Sequence, residues 1–294
     1  MMITKGVYSA TCSILREDCS LNVDATIAHA ASSINNGLHG AIFFGSTGQS
    51  QLIDLNSKKS LISKAANHKL RKKFFFGTGC NSLNDTINLI KYGMEYEFNS
   101  WLIMPPAYYS SNTETGVYNF YKDIINKVPK VKIILYNFEK LSSFLFKPEF
   151  IKKLASDFSN IIGVKDSSYN LYESLKIPNF LIFPGSETKL LKGLELGNSG
   201  IISAICNVTA PLARKVFDDF EKKKEQTQND KLVAVRKVFD NYNLISALHS
   251  YMSLKDDDFK NLLPPLVLLN SEEKKDLIKK LNNLKFIVQN NLAA

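Results

Sequence analysis

Short apolar runs recur along the chain, each ending in small or polar residues and most followed by an amphipathic stretch. Eight of them are expected as strands: residues 6–15, 40–44, 73–77, 100–104, 131–135, 161–165, 180–183 and 200–203. Between them, helical periodicity is expected over 22–35, 57–70, 83–92, 114–127 and 148–156. The first of these has Asn22 or Asp24 near its start and Gly37 beyond its end, and the last opens on Pro148. Connections this short, with strand and helix alternating, argue for parallel strands joined by crossover helices. The predicted fold is therefore α/β, a (β/α)8 TIM barrel. An open doubly wound sheet is the competing architecture, but no GxGxxG follows the first run.

From Pro211 onward the pattern changes to long helical stretches, expected over 211–226, 230–248 and 271–290, with Pro264-Pro265 breaking the last two apart. Residues 1–208 are thus read as the barrel and residues 209–294 as a C-terminal helical extension packed on it.

The composition is ordinary for a globular protein: 45% hydrophobic and 22% charged residues over 294 positions, enough for one large core. A net charge of +9 raises the question of nucleic acid. The densest basic groups, residues 69–73 and 222–224, read instead as solvated helix faces with no interleaved aromatics, so no nucleic-acid partner is expected. Cys12, Cys19, Cys80 and Cys206 are far apart, with no CxxC pair and no histidine at ligand spacing, which speaks against zinc and for reduced thiols. Neither a secretory leader nor a membrane-length apolar run is expected, and a cytoplasmic setting follows.

In a barrel of this kind the loops after the strands share one face, and that face carries the chemistry. Lys165 ends the sixth run, where four apolar or small residues meet polar ones. Desolvation there favours the free amine, the form that attacks a carbonyl to make a Schiff base. Tyr136 ends the fifth run, Tyr109 follows the fourth, and Ser46 and Thr47 sit in a glycine-flanked loop after the second. Gly185 to Glu187 follow the seventh run, and Ile202 and Ser203 end the eighth. Lysine as nucleophile, tyrosine as proton carrier and a hydroxyl-rich loop as carboxylate donor suit chemistry on a 2-oxo acid.

Taken together these motifs resemble the dihydrodipicolinate synthase and N-acetylneuraminate lyase family of pyruvate-dependent aldolases and lyases. Gly45-Ser46-Thr47-Gly48-Gln49 is similar to its GTTGE loop, Tyr136-Asn137 to its YN motif, and Gly163-Val164-Lys165-Asp166 to its Schiff-base lysine motif. The resemblance spans nearly the whole chain. It implies a class I aldolase or lyase in which Lys165 forms a covalent imine with pyruvate, with no cofactor or metal. Tyr136 would be the main proton-transfer residue, and Ser46 and Thr47 would bind the pyruvate carboxylate. Tyr109 would complete the proton relay of a neighbouring subunit in a homotetramer built as a dimer of dimers. Gly185, Glu187, Ile202 and Leu141 would contribute to substrate binding.

The departures bear on the second substrate. In the synthases the YN motif is followed by a proline and then by an arginine that grips the carboxylate of the aldehyde; here Glu139 and Leu141 stand in those places. Leucine cannot pair with a carboxylate. The run is closer to that of the sugar-acid lyases and 2-keto-3-deoxy sugar-acid aldolases, so a 2-keto-3-deoxy sugar acid or sialic-acid-like substrate is expected. Two alternatives stand beside it: condensation of pyruvate with aspartate semialdehyde in lysine biosynthesis, and a non-catalytic 2-oxo acid binding protein.

Overall fold

The computed structural model describes residues 2–110 and 112–286. Eight strands form its centre: β1 (Gly6–Ala10), β2 (Gly40–Phe43), β3 (Phe74–Gly77), β4 (Ser100–Ile103), β5 (Lys132–Asn137), β6 (Ile161–Asp166), β7 (Leu181–Pro184) and β8 (Gly200–Ser203). All pairings are parallel, and the order runs from β7 through β1 to β8. The gap between β7 and β8 is bridged where the Ser199 N–H donates to the Ile182 carbonyl at 2.8 Å and Ser199 Oγ accepts from the Ile182 N–H at 3.2 Å. The chain is a (β/α)8 barrel.

Strands this apolar are buried on both faces, as a parallel barrel requires. Their two-residue alternation sorts the side chains: Ile134 and Tyr136 of β5 point into the barrel, while Ile133 and Leu135 face the helices. Inside, Tyr8 meets Phe75 and Phe183 edge-on at 5.9 and 5.8 Å between centroids. Outside, Phe76, Trp101 and their neighbours fill the layer under the helices. Each such aromatic adds roughly 1.5–3 kcal/mol by leaving water.

Around the barrel lie α1 (Val23–Asn35), α2 (Leu55–Ala66), α3 (Leu83–Glu95), α4 (Glu114–Lys127), a single turn α5 (Glu139–Ser142), α6 (Pro148–Asp157) and α7 (Leu190–Glu195). Polar caps set the starts. Asn22, Asp54, Ser82 and Thr113 each accept a backbone N–H from their helix's first turn. Asp54 therefore begins α2 at Leu55, two residues before the expected start.

The crossover from β6 to β7 differs from the others. No helix joins β6 to β7; residues 167–180 run as turns. The Asp166 carboxylate accepts the N–H groups of Tyr169, Leu171 and Tyr172, which a helix would otherwise leave for water, and Pro178 closes off any continuation.

The chain passes straight from β8 into α8 (Cys206–Glu221), which begins five residues before Pro211 and kinks at Thr209 to admit that proline. The helix expected over 230–248 is two, α9 (Asn229–Phe239) and α10 (Leu244–Met252), because Asn243 caps a new start by accepting from the Ser246 N–H. α11 (Ser271–Asn283) opens with a capping box between Asn270 and Glu273. Residues 287–290 of the last expected helix lie outside the described residues. Phe239, Leu248, Tyr251 and Leu277 of these helices pack with Cys12, Ile14 and Ile205, beside the ends of β1 and β8. Among the described residues no helix is long and apolar enough to cross a membrane.

Candidate active site

Strand register brings Tyr136 and Lys165 together. β5 and β6 pair with Tyr136 beside Lys165 and Asn137 beside Asp166. Tyr136 points into the barrel, and its partner in register does the same. Lys165 Nζ lies 4.1 Å from the centroid of the Tyr136 ring, within cation–π range, and the residue is 3% exposed.

The residue after each of these two holds them in place. Asp166 takes three backbone N–H groups, and it also accepts from Asn137 Nδ2 at 2.8 Å. Asn137 in turn donates to Asn170 Oδ1 at 2.7 Å and accepts from the Phe146 N–H at 3.2 Å. Both are fully buried. Burial pushes the Asp166 carboxyl up from its ordinary range, and the hydrogen bonds from Leu171, Asn137, Tyr172 and Tyr169 oppose that rise. Asp166 and Asn137 are thus positioning residues.

Across the barrel mouth, β2 ends in a tight 3₁₀ turn over Ser46–Gly48. It is flanked by Phe44 and Gln49 in left-handed backbone, φ 57° and 54°, which side-chain-bearing residues adopt only under constraint. Gly48 cannot be larger: a Cβ there would lie 2.8 Å from the Thr11 carbonyl. The turn is pinned from behind by the Gln49 Oε1, which accepts the Leu263 N–H at 2.7 Å. Ser46 Oγ is thereby held 3.0 Å from the Tyr136 hydroxyl, and Thr47 is buried beside it in the turn.

A cavity of about 110 Å³ opens over these groups. Ser46, Tyr136 and Leu141 line it, together with Phe44, Cys80 and Met104. Lys165 lies against the Tyr136 ring rather than on the cavity wall. Ile202 is buried in the barrel interior with Tyr136. Gly185 follows β7 in close approach to Ser167, whose Oγ would be 2.3 Å from an added Cβ.

Glu187 is placed elsewhere, and Tyr109, expected in the site of a neighbouring subunit, lies off this chain's own cavity. Glu187 is fully buried and bound to the helical extension: its Oε2 accepts from Arg236 Nη1 at 2.9 Å and from Ser203 Oγ at 2.7 Å. A carboxylate held there pairs with the guanidinium instead of facing the cavity. Burial works against the Arg236 charge, but Glu187 and Asp240 hold it more firmly protonated than usual. Tyr109 is 70% exposed, on the loop after β4, stacked edge-on against Tyr108 and outside the cavity. That loop touches the site through Ala107, whose N–H donates to Asn81 Oδ1.

The sequence reading missed Lys58. It lies on α2 and is 2% exposed; its Nζ donates to the carbonyls of Thr78 and Gly79 at 3.0 and 2.8 Å and approaches Cys80 Sγ at 3.6 Å. Burial lowers its pKa. Burial likewise raises the Cys80 thiol, an effect that the Lys58 ammonium opposes. Gly79, in left-handed backbone, brings this loop against Ser50. Among the described residues no three His, Cys, Asp or Glu side chains gather to hold a metal ion.

The model of the dihydrodipicolinate synthetase family matches residues 3–284. A 2-dehydro-3-deoxy-D-gluconate/2-dehydro-3-deoxy-phosphogluconate aldolase of Picrophilus torridus is 27% identical over 78% of this chain and 87% of its own. A 4-hydroxy-tetrahydrodipicolinate synthase of Hydrogenobaculum sp. is 28% identical over 85% of this chain and 89% of its own. Among solved structures, that of YagE, a prophage protein of the same family from E. coli K12 in complex with pyruvate, superposes with a TM-score of 0.87. It covers 97% of this chain and all of its own at 22% identity, a likeness of fold.

Proposed function

The chain belongs to the dihydrodipicolinate synthetase family, and on that premise we propose that it makes or cleaves a carbon–carbon bond to pyruvate through an imine on Lys165. The second substrate is an aldehyde, or in the cleavage direction a 2-keto-3-deoxy sugar acid or a sialic-acid-like compound. One observation carries the reading: Lys165 and Tyr136 are neighbours in register on inward-facing strands, and Ser46 stands 3.0 Å from the tyrosine hydroxyl.

The Lys165 amine adds to the pyruvate ketone and water leaves, giving a protonated imine. That imine is the electron sink, so the reading calls for no metal or organic cofactor. Loss of a C3 proton to solvent, through the Ser46–Tyr136 hydroxyl pair, gives the enamine, whose C3 attacks the aldehyde carbon. Tyr136 supplies the proton that the new alkoxide needs and recovers it through Ser46. Hydrolysis of the product imine frees the amine, and cleavage runs the same steps backward. Ser46 and Thr47 hold the pyruvate carboxylate. The exposed Tyr108 and Tyr109 suit a subunit interface, where Tyr109 completes the relay of the neighbouring copy in a tetramer of two tight dimers.

The test needs no knowledge of the aldehyde. Enzyme in heavy water should exchange the methyl protons of pyruvate for deuterium, and Lys165→Ala should not. Undiminished exchange by that variant would remove Lys165 from its role. A second reading, condensation with aspartate semialdehyde, is supported by the likeness to the Hydrogenobaculum synthase and opposed by Leu141 at the cavity mouth. Turnover of aspartate semialdehyde matching that of sugar acids would favour it.

A further inference from the structure

A thiol and an amine are held together in the wall of the cavity, and the imine chemistry uses neither. Cys80 lines the cavity from the loop after β3, and Lys58 reaches that loop from α2. Both side chains converge on one oxygen: the Thr78 carbonyl accepts from Cys80 Sγ at 3.1 Å and from Lys58 Nζ at 3.0 Å. The shared acceptor leaves Nζ and Sγ 3.6 Å apart. Lys58 Nζ also donates to the Gly79 carbonyl at 2.8 Å and lies 5.9 Å from the centroid of the Phe44 ring. Its hydrogen-bond partners are thus two carbonyls and a thiol, not a carboxylate. Cys80 is half-buried and open to the cavity, whereas Cys12 and Cys206 are sealed in the core and Cys19 stands in an exposed turn before α1.

Each group prepares the other for reaction. The Lys58 ammonium favours the Cys80 thiolate, the form that a peroxide oxidises, although burial works the other way on that thiol. Burial also lowers the pKa of Lys58 and so favours the free amine, a nucleophile. We propose that Cys80 and Lys58 form an oxidative switch, in which a hydroperoxide drives a covalent sulfur–nitrogen bond between them. The thiolate first attacks hydrogen peroxide; the O–O bond breaks, sulfur becomes a sulfenic acid, and the departing hydroxide takes a proton from the Lys58 ammonium to leave as water. The freed amine then attacks the sulfenic sulfur, the S–O bond breaks, and its hydroxyl leaves with an amine proton as a second water. Peroxide is reduced and sulfur oxidised, so the linked protein is two hydrogens lighter than the reduced thiol and amine together. Lysine's flexible four-carbon stem lets Nζ close on Sγ, at the loss of its bonds to Thr78 and Gly79. Those carbonyls lose their donor, and the wall they form with Cys80 shifts beside Ser46. An added thiol reverses the step by attacking the sulfur and releasing the amine. The bond itself is independent of the imine; its effect on turnover rests on the reading that this cavity serves Lys165.

The test treats Cys19→Ser protein with hydrogen peroxide, digests it without reductant and maps the peptides, with deuterium exchange into pyruvate measured alongside. A species joining the Lys58 and Cys80 peptides, two hydrogens lighter than the pair, should appear, and exchange should be lost in proportion. Dithiothreitol should reverse both. Cys80→Ser and Lys58→Arg should form no link, and in Lys58→Arg the thiol should run on to the sulfinic acid, which dithiothreitol does not restore. An unreacted Cys80, or one that reaches the sulfinic acid beside an unmodified Lys58 in the Cys19→Ser protein, would overturn the proposal. A link that leaves exchange unchanged would overturn the switch. Exchange absent before any peroxide is added would sink the imine reading alone, and the peptide map would still decide the link.

Discussion

Replacing Arg236 with methionine should strip the buried Glu187 carboxylate of its counter-ion. The two side chains are 7% and 0% exposed and meet at 2.9 Å, so water cannot take over when the guanidinium goes. Ser203 Oγ still donates to the carboxylate, but a hydroxyl dipole does not replace a charge. Removing one partner of a buried pair costs about 3–5 kcal/mol. At roughly 2.1 cal/mol/K of unfolding entropy per residue, that lowers the Tm of a 294-residue chain by about 5–8 °C. Scanning calorimetry measures it. The double variant Arg236→Met/Glu187→Leu, which removes both charges, should recover most of the loss, because the penalty belongs to the unpaired carboxylate rather than to the missing contact. A single variant that loses less than about 1 kcal/mol, or a double variant no better than the single, would refute the assignment of Glu187 to a structural pair. If Glu187 acted on substrate instead, the double variant would raise KM for pyruvate while restoring stability.

Two further outcomes are expected from the same geometry. Tyr136→Phe should still form the imine but lower kcat by about 10²–10⁴, the worth of a positioned proton donor; stopped-flow turnover beside imine trapping separates the two effects. His249 is buried against the Phe259 carbonyl, and burial depresses its pKa to about 4, with His29 close by and lowered in the same direction. Since the unfolded chain takes up the proton at about 6.5, stability is complete above that pH and falls as the pH drops toward 4, by roughly 3 kcal/mol for His249 alone. Denaturant titrations across pH 4–7 should show the fall, and His249→Gln should flatten it; a slope equal to that of the unaltered protein would contradict the assignment.

The barrel was legible because its strands are nearly continuous apolar runs bounded by glycine, proline or polar residues. Lys165 and Tyr136 were legible for the same reason, as polar residues ending such runs. What sequence concealed was partnership across the fold. Arg236 and Lys58 occupy the apolar stripes of α9 and α2, three and four residues from Phe239 and Leu232, and from Leu61 and Ile62. A charge on an apolar stripe signals burial, but its partners, Glu187 and two loop carbonyls, are remote in sequence. The turns between β6 and β7 were hidden likewise: only the folded chain brings Asp166 to the N–H groups of Tyr169, Leu171 and Tyr172. Asn243 could have announced the break between α9 and α10, since it is a helix-starting residue set within an otherwise periodic run.

The chemistry proposed for the site turns on a covalent imine between Lys165 and pyruvate. Incubation with pyruvate and borohydride, followed by intact-protein mass and peptide mapping, tests it directly. One reduced pyruvyl adduct per chain is expected, located on Lys165 and absent from Lys165→Ala. A folded protein that gains no adduct, or one whose adduct maps to another lysine, would contradict it.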